Sequence, residues 1–122
     1  MSTDLDALIP SWLTLPDLAE RLGVQFPRVR ALVRDRAVVG VKRGERAAFQ
    51  VPEAFLVPAE DGGEEVIATL RGTVVVLGDQ GLSDEEILEW LFTPEPSLRV
   101  APVEALRAGR RAEVRRVAQT LV

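Results

Sequence analysis

Between Thr14 and Phe49 the sequence carries, in order, the signals of two short helices joined at a glycine and then a basic β-hairpin. Thr14 stands where a helix N-cap belongs, and Asp17, three residues on, can return the bond. Leu15, Leu18, Ala19 and Leu22 recur on one helical face. Gly23 supplies the positive φ that ends a helix. Pro27 suits the first turn of a second helix. Val29, Leu32 and Val33 give that helix an apolar face and leave Arg28, Arg30 and Arg34 to point outward. Two helices meeting at such a turn have the form of a helix–turn–helix, whose second helix can lie in the major groove of DNA.

The hairpin extends this reading. Val38 to Arg43 is rich in β-branched residues and reads as a strand, Gly44-Glu45-Arg46 as a turn, and Ala47 to Val51 as the returning strand. Lys42, Arg43 and Arg46 then surround the tip, where a winged helix reaches phosphate or the minor groove. Pro52 ends the strand, and Glu53 to Leu56 can make one helical turn that packs Phe55 and Leu56 under the wing.

The formal net charge of -4 argues weakly against nucleic acid until its distribution is followed along the chain. Residues 1 to 20 hold four acids and no base. From Arg21 to Arg46 there are eight bases and two acids. Residues 47 to 98 hold eleven acids and only Arg71, and residues 99 to 122 hold six arginines and two glutamates. The basic stretch coincides with the helix–turn–helix and its hairpin, which is what phosphate contacts need whatever the overall charge. The expected DNA-contacting residues are therefore Arg28, Arg30, Arg34, Arg36, Lys42, Arg43 and Arg46.

Several function classes are excluded or disfavoured. Neither cysteine nor histidine occurs, so there is no disulfide framework, and a zinc or iron site would rest on carboxylates alone. Tyrosine is absent as well, which removes most acid–base and nucleophile constellations. The carboxylates Asp84, Glu85, Glu86 and Glu89 are explained by helix capping and the macrodipole. No glycine spacing matches a nucleotide loop. No apolar run reaches spanning length and the N-terminus is acidic, so the expectation is a cytoplasmic protein without cofactor or enzymatic activity.

The second half reads as mainly helical. Val57 to Glu65, with Pro58, Gly62 and Gly63, reads as a loop or hinge. Residues 65 to 70 and 71 to 81 are each ambiguous between strand and helix, with the valines favouring a strand on propensity. Ser83 to Glu86 is a capping box opening a helix with Ile87, Leu88, Leu91 and Phe92 on its apolar face and Trp90 on the flank. Pro94 and Pro96 end it. A short helix follows over Pro102 to Leu106, ending at Gly109, and a last one over Glu113 to Leu121.

The run from Glu86 to Leu98, the Pro102 to Leu106 segment and the Glu113 to Gln119 segment form a specific set with Leu22-Gly23-Val24 and the arginine-bearing second helix. Together they resemble the small winged helix–turn–helix DNA-binding proteins of actinobacterial type, over nearly the whole chain from about Leu15 onward. The resemblance implies an N-terminal winged helix–turn–helix followed by a helical C-terminal domain, DNA binding, a cytoplasmic location and no catalysis. It also implies helix rather than strand for Thr73 to Gly78. Members can carry a longer N-terminal tail; this sequence lacks one, so tail-dependent regulation such as phosphorylation is not expected to carry over.

A shorter pattern resembles the toxin-binding domain of some helix–turn–helix antitoxins, through Trp90, Pro94, Pro96, Leu98, Pro102, Leu106 and Gly109. It implies a protein partner at the C-terminal helices. The alternative is that these residues are simply core and corners, with Arg107, Arg110, Arg111, Arg115 and Arg116 facing outward and extending the DNA contact. The expectation is thus a mainly α chain with a small β-hairpin wing, divided into a DNA-binding domain over 1–56 and a helical domain over 57–122. Double-stranded DNA is the expected partner, with a homodimer as a further candidate.

Overall fold

A computed structural model describes residues 4–121 of the chain. The helix–turn–helix forms from the local signals already noted. Helix α2 (Leu15–Leu22) starts at Thr14, whose Oγ1 accepts from the Asp17 N–H at 3.3 Å. It stops at Gly23, in the left-handed region at φ 69°, with the Gly23 N–H bonded back to the Glu20 carbonyl at 3.2 Å. Helix α3 (Phe26–Arg34) follows, with Pro27 in its first turn. Val29 is fully buried and fixes α3 against the rest of the module. Before α2 lie a single helical turn, α1 (Leu5–Leu8), and a short strand, β1 (Trp12–Thr14).

The wing is a three-stranded antiparallel sheet, one strand more than the hairpin expected. Strands β2 (Val41–Arg43) and β3 (Ala48–Pro52) are joined by a turn from Gly44 to Ala47, and β1 pairs with the other edge of β3. The register sets Leu13 opposite Val51 and Lys42 opposite Phe49. The first wing strand starts at Val41 rather than at Val38. Val38 and Val39 are core residues, and Gly40 passes so close to the Gln50 carbonyl that a Cβ there has no room. A 3-10 turn over Glu53–Phe55 then buries Phe55 and leads to Leu56, as the sequence indicated.

Val57 to Glu65 is not a hinge. Strands β4 (Leu56–Pro58) and β5 (Glu64–Val66) pair antiparallel, and Gly62 and Gly63 belong to their connecting turn. The ambiguous valine run is helix α4 (Leu70–Asp79), which buries Leu70, Thr73, Val74 and Leu77. Packing overrides strand propensity here, since α4 lies against both α5 (Asp84–Phe92) and α7 (Arg111–Gln119). The α5 capping box is complete: Glu86 N–H donates to Ser83 Oγ at 3.2 Å and Ser83 N–H to Glu86 Oε1 at 2.9 Å. Helix α6 (Pro102–Arg107) and α7 follow, and Leu121, expected as the last residue of the final helix, lies past its end and is exposed.

One buried apolar cluster runs through both halves, from Ile9 and Leu13 to Val114 and Ala118. Phe55 below the wing meets Phe92 at the end of α5, with ring centroids 5.9 Å apart and planes tilted by 46°. Helix α1 also packs on α5. The N-terminal and C-terminal halves therefore share one buried core.

Candidate nucleic-acid interface

The outer side of α3 is an open cationic surface. Because Val29 is buried and Leu32 and Val33 are half-buried against the core, Arg28, Arg30 and Arg34 are left exposed on the helix. Arg28 and Arg30 meet no carboxylate among the described residues. Arg34 has only a loose pair with its neighbour, Nε to Asp35 Oδ1 at 3.5 Å, and its side chain remains 73% exposed. The first turn of α3 holds no acid, so nothing on the helix itself competes with phosphate for these guanidinium groups.

The wing contributes unequally. Arg46 sits exposed in the turn, and Lys42 is exposed beside it on β2. Lys42 also borders a groove that carries Asp4 and Glu85, so its surroundings are mixed in charge. Arg43 departs from the expected role. Its guanidinium lies over the Trp12 ring, 4.1 Å from the centroid, pairs with Asp6, and donates from Nη1 to Gln50 Oε1 at 3.5 Å. Only 24% of its side chain is exposed. It binds the wing sheet to the N-terminal segment. Trp12 is the residue that sequence reasoning missed: a three-residue strand has no periodicity to read, and Trp12 finds its place only by pairing opposite Pro52.

Arg36 departs as well. It follows α3 in the left-handed region at φ 64°, a conformation that costs a non-glycine residue roughly 1–2 kcal/mol. This turns its side chain toward the C-terminal half, where Nη1 pairs with Asp84 Oδ1 at 2.9 Å. Arg36 thus ties α3 to the start of α5 instead of adding to the outer α3 face.

Carboxylates hold Arg21 in the same structural way. Its Nη1 donates to Glu53 Oε2 at 2.6 Å, and its Nε and Nη2 donate to Glu64 at 2.6 and 2.9 Å. The fork geometry raises the Arg21 pKa above its ordinary value through Glu64 first and Glu53 second, and Arg21 in turn lowers that of Glu64.

In the C-terminal half the apolar residues of the antitoxin-like pattern are drawn into the core, while Pro94, Pro96 and Gly109 are exposed. Leu98, Pro102 and Leu106 are buried, and Trp90 is half-buried against the core. The large exposed apolar side chains among the described residues are Phe26, Val75, Val100 and Leu121, each on a different element or loop. The expected outward arginines also divide. Arg107 donates to the Ala54 carbonyl at 2.7 Å and to that of Leu56, and Arg110 donates to Glu113 and to the Leu98 carbonyl. Arg111, Arg115 and Arg116 stay exposed.

Two family descriptions cover the chain. Residues 2–56 match the winged helix–turn–helix domain of DNA-binding protein Rv2175c, and residues 67–122 match the Rv2175c C-terminal domain of unknown function. The chain belongs to this family. DNA-binding protein Rv2175c of Mycobacterium tuberculosis (strain ATCC 25618 / H37Rv) is 34% identical over 119 residues, which span 88% of this chain and 77% of the relative. The NMR structure of Rv2175c superposes with a TM-score of 0.76, at 34% identity, over 91% of this chain and 80% of that one. The chain is a winged helix–turn–helix protein of a DNA-binding family. Among its described residues no helix is long and apolar enough to cross a membrane.

Proposed function

We propose that this chain docks α3 in the major groove of duplex DNA and acts in the cytoplasm as a transcriptional regulator. In this reading residues 1–56 are the DNA-binding unit and residues 57–122 its helical support. Arg28, Arg30 and Arg34 face the duplex from α3. Lys42 and Arg46 reach the backbone from the wing. Arg36 and Arg43 act indirectly, by fixing α3 and the wing sheet. The observation that carries the reading is the outer face of α3: arginines exposed and free of strong pairing, in a chain whose net charge is -4. Such a face is open to an anion, and a regular polyanion fits three cations spaced along a helix.

The test is a fluorescence anisotropy titration with duplex DNA over a series of salt concentrations. Each phosphate contact contributes about one unit to the salt slope, so replacing Arg28, Arg30 and Arg34 together by alanine is expected to flatten it by up to roughly three. Any one of them that reads a base costs roughly 1–3 kcal/mol and relaxes specificity at one position. Unchanged affinity in the triple variant would remove α3 from the interface. The stoichiometry of the same titration reports whether one copy or two occupy a site.

A further inference from the structure

We infer that the groove between α4 and α7 is a second contact surface for the phosphodiester backbone of the duplex held by α3, formed by Arg71, Arg111 and Arg115. The inference rests on the DNA-binding reading above and extends its footprint onto the C-terminal half.

The groove measures about 880 Å³, and its lining holds these three arginines and no carboxylate. That is unexpected beside the acid-rich segment of residues 47 to 98 that supplies one of its walls. The groove beside Arg21, by contrast, is lined by Glu53, Glu64 and Glu104 as well as by arginines. Arg111 and Arg115 have no acidic partner among the described residues. Like charges gathered in one concavity repel each other and concentrate a positive potential there, and a bound anion relieves both.

Gly72 marks where Arg115 rests in the groove. It lies inside α4, where glycine is less stable than alanine. A Cβ at this position would collide with the Nη2 of Arg115. The missing side chain therefore leaves room for the exposed Arg115 guanidinium beside α4, on the lining of the groove.

The groove is continuous with the proposed interface. Arg71 donates from Nε to the Asp35 carbonyl at 3.0 Å, directly after α3. It also borders a smaller cleft whose lining includes Arg28 together with Glu64 and Glu65. An arginine track thus leads from Arg28 past Arg71 to Arg115 and Arg111, flanked at its Arg28 end by Glu64 and Glu65 and free of carboxylates in the groove itself. Duplex DNA suits it better than a small anion does, because the track is extended and one end of it is already the α3 face.

The experiment compares duplexes of about one helical turn (~10 base pairs) and about three turns (~30 base pairs), each titrated at several salt concentrations. The variants are the full chain with R111A/R115A, with R115A, with G72A and with R116A. Arg116 follows Arg115 on α7 but does not line the groove, so R116A repeats the charge change of R115A away from the site. The expected result is a salt slope on the long duplex lower by about two units for R111A/R115A and by about one for R115A, with little change for R116A. On the short duplex all variants should match the parent chain. G72A should weaken long-duplex binding while its melting temperature holds or rises, which separates displacement of Arg115 from unfolding. Equal effects of R115A and R116A, or the same loss on both duplexes, would overturn the inference. Loss of binding in the triple α3 variant in that case leaves the α3 reading standing, whereas a parent chain that binds neither duplex removes both.

Discussion

On α3, Arg28 and Arg30 stand in the open, while in the C-terminal half Arg107 and Arg110 are taken up by the carbonyls of Ala54, Leu56 and Leu98 and by Glu113. The two regions have similar arginine content in sequence. They differ in whether an acceptor lies within reach once the chain is folded. Among the described residues the α3 guanidinium groups meet one carboxylate, Asp35, and that loosely at 3.5 Å from Arg34, so their charge stays available to a ligand. Around α6 the neighbours are free carbonyls at the ends of the 3-10 turn and of the α5–α6 loop, and arginine closes those ends. A count of basic residues therefore overstates the C-terminal surface. Arg111, Arg115 and Arg116 are the arginines of α7 left open.

The largest effect should come from the joint between the halves. Phe55→Ala removes the ring that meets Phe92 in a fully buried position and should cost about 3–5 kcal/mol. Trp12 lies in one half and Trp90 in the other, so single-tryptophan versions report each separately. Coincident urea transitions that shift together are expected from the continuous core. Two separated transitions would show that the halves unfold independently and that the contrast between them is one of separate domains.

Arg107 and Arg111 give the direct comparison. Arg107→Ala frees the carbonyls of Ala54 and Leu56 and should lower stability by about 1 kcal/mol, a charged hydrogen bond discounted for partial exposure, without changing the salt slope of DNA binding. Arg111→Ala should stay within about 0.5 kcal/mol of the parent. A smaller version of the contrast exists within the wing. Arg43→Ala removes the cation from above Trp12 and should cost roughly 0.5–1 kcal/mol. Lys42→Ala should leave stability nearly unchanged and lower the salt slope by about one. If Arg43→Ala instead alters only DNA binding, its place beside Arg28 and Arg30 is restored.

The legible parts of the fold are those with a local cause. The Thr14 cap, Gly23, Pro27 and the Ser83–Glu86 box each act within a few residues, and each appears where the sequence places it, although the structure shows no return bond from the Asp17 side chain to Thr14. The missed parts depend on distant partners. β1 exists because β3 offers a free edge, and β4 with β5 because Leu56 meets Val66 across a glycine-containing turn that by itself resembles a linker. The open arginines of α3 could be inferred from helical periodicity. The roles of Arg36 and Arg43 could not, because Asp84 and Trp12 are remote or carry no pattern of their own. The groove at Arg71 was hidden for the same reason: its three arginines are up to 44 positions apart and meet only when α7 packs on α4.

The smallest effect concerns two acid-sensitive pairs that again separate long-range from local use of arginine. Arg21 joins α2 to β5 through Glu64, whereas Arg110 joins Glu113 three positions away. In both pairs the arginine hydrogen bonds hold the glutamate below the ordinary carboxylate range. A carboxylate with a lowered folded pKa stabilises the fold fully above its unfolded value and loses that contribution as pH falls through the folded one. The arginines stay protonated throughout that window, so only the glutamates titrate. Stability should therefore decline as pH falls below the usual glutamate range, and Glu64→Gln should remove part of that decline. Glu113→Gln should remove less, because residues three apart remain close in the unfolded chain and their interaction partly persists there. The measurement is the urea midpoint of the parent and both variants from neutral pH down to about 3, spanning the glutamate range. A gap between the parent and Glu64→Gln that stays constant over this range would mean that the pair acts through packing and not through charge.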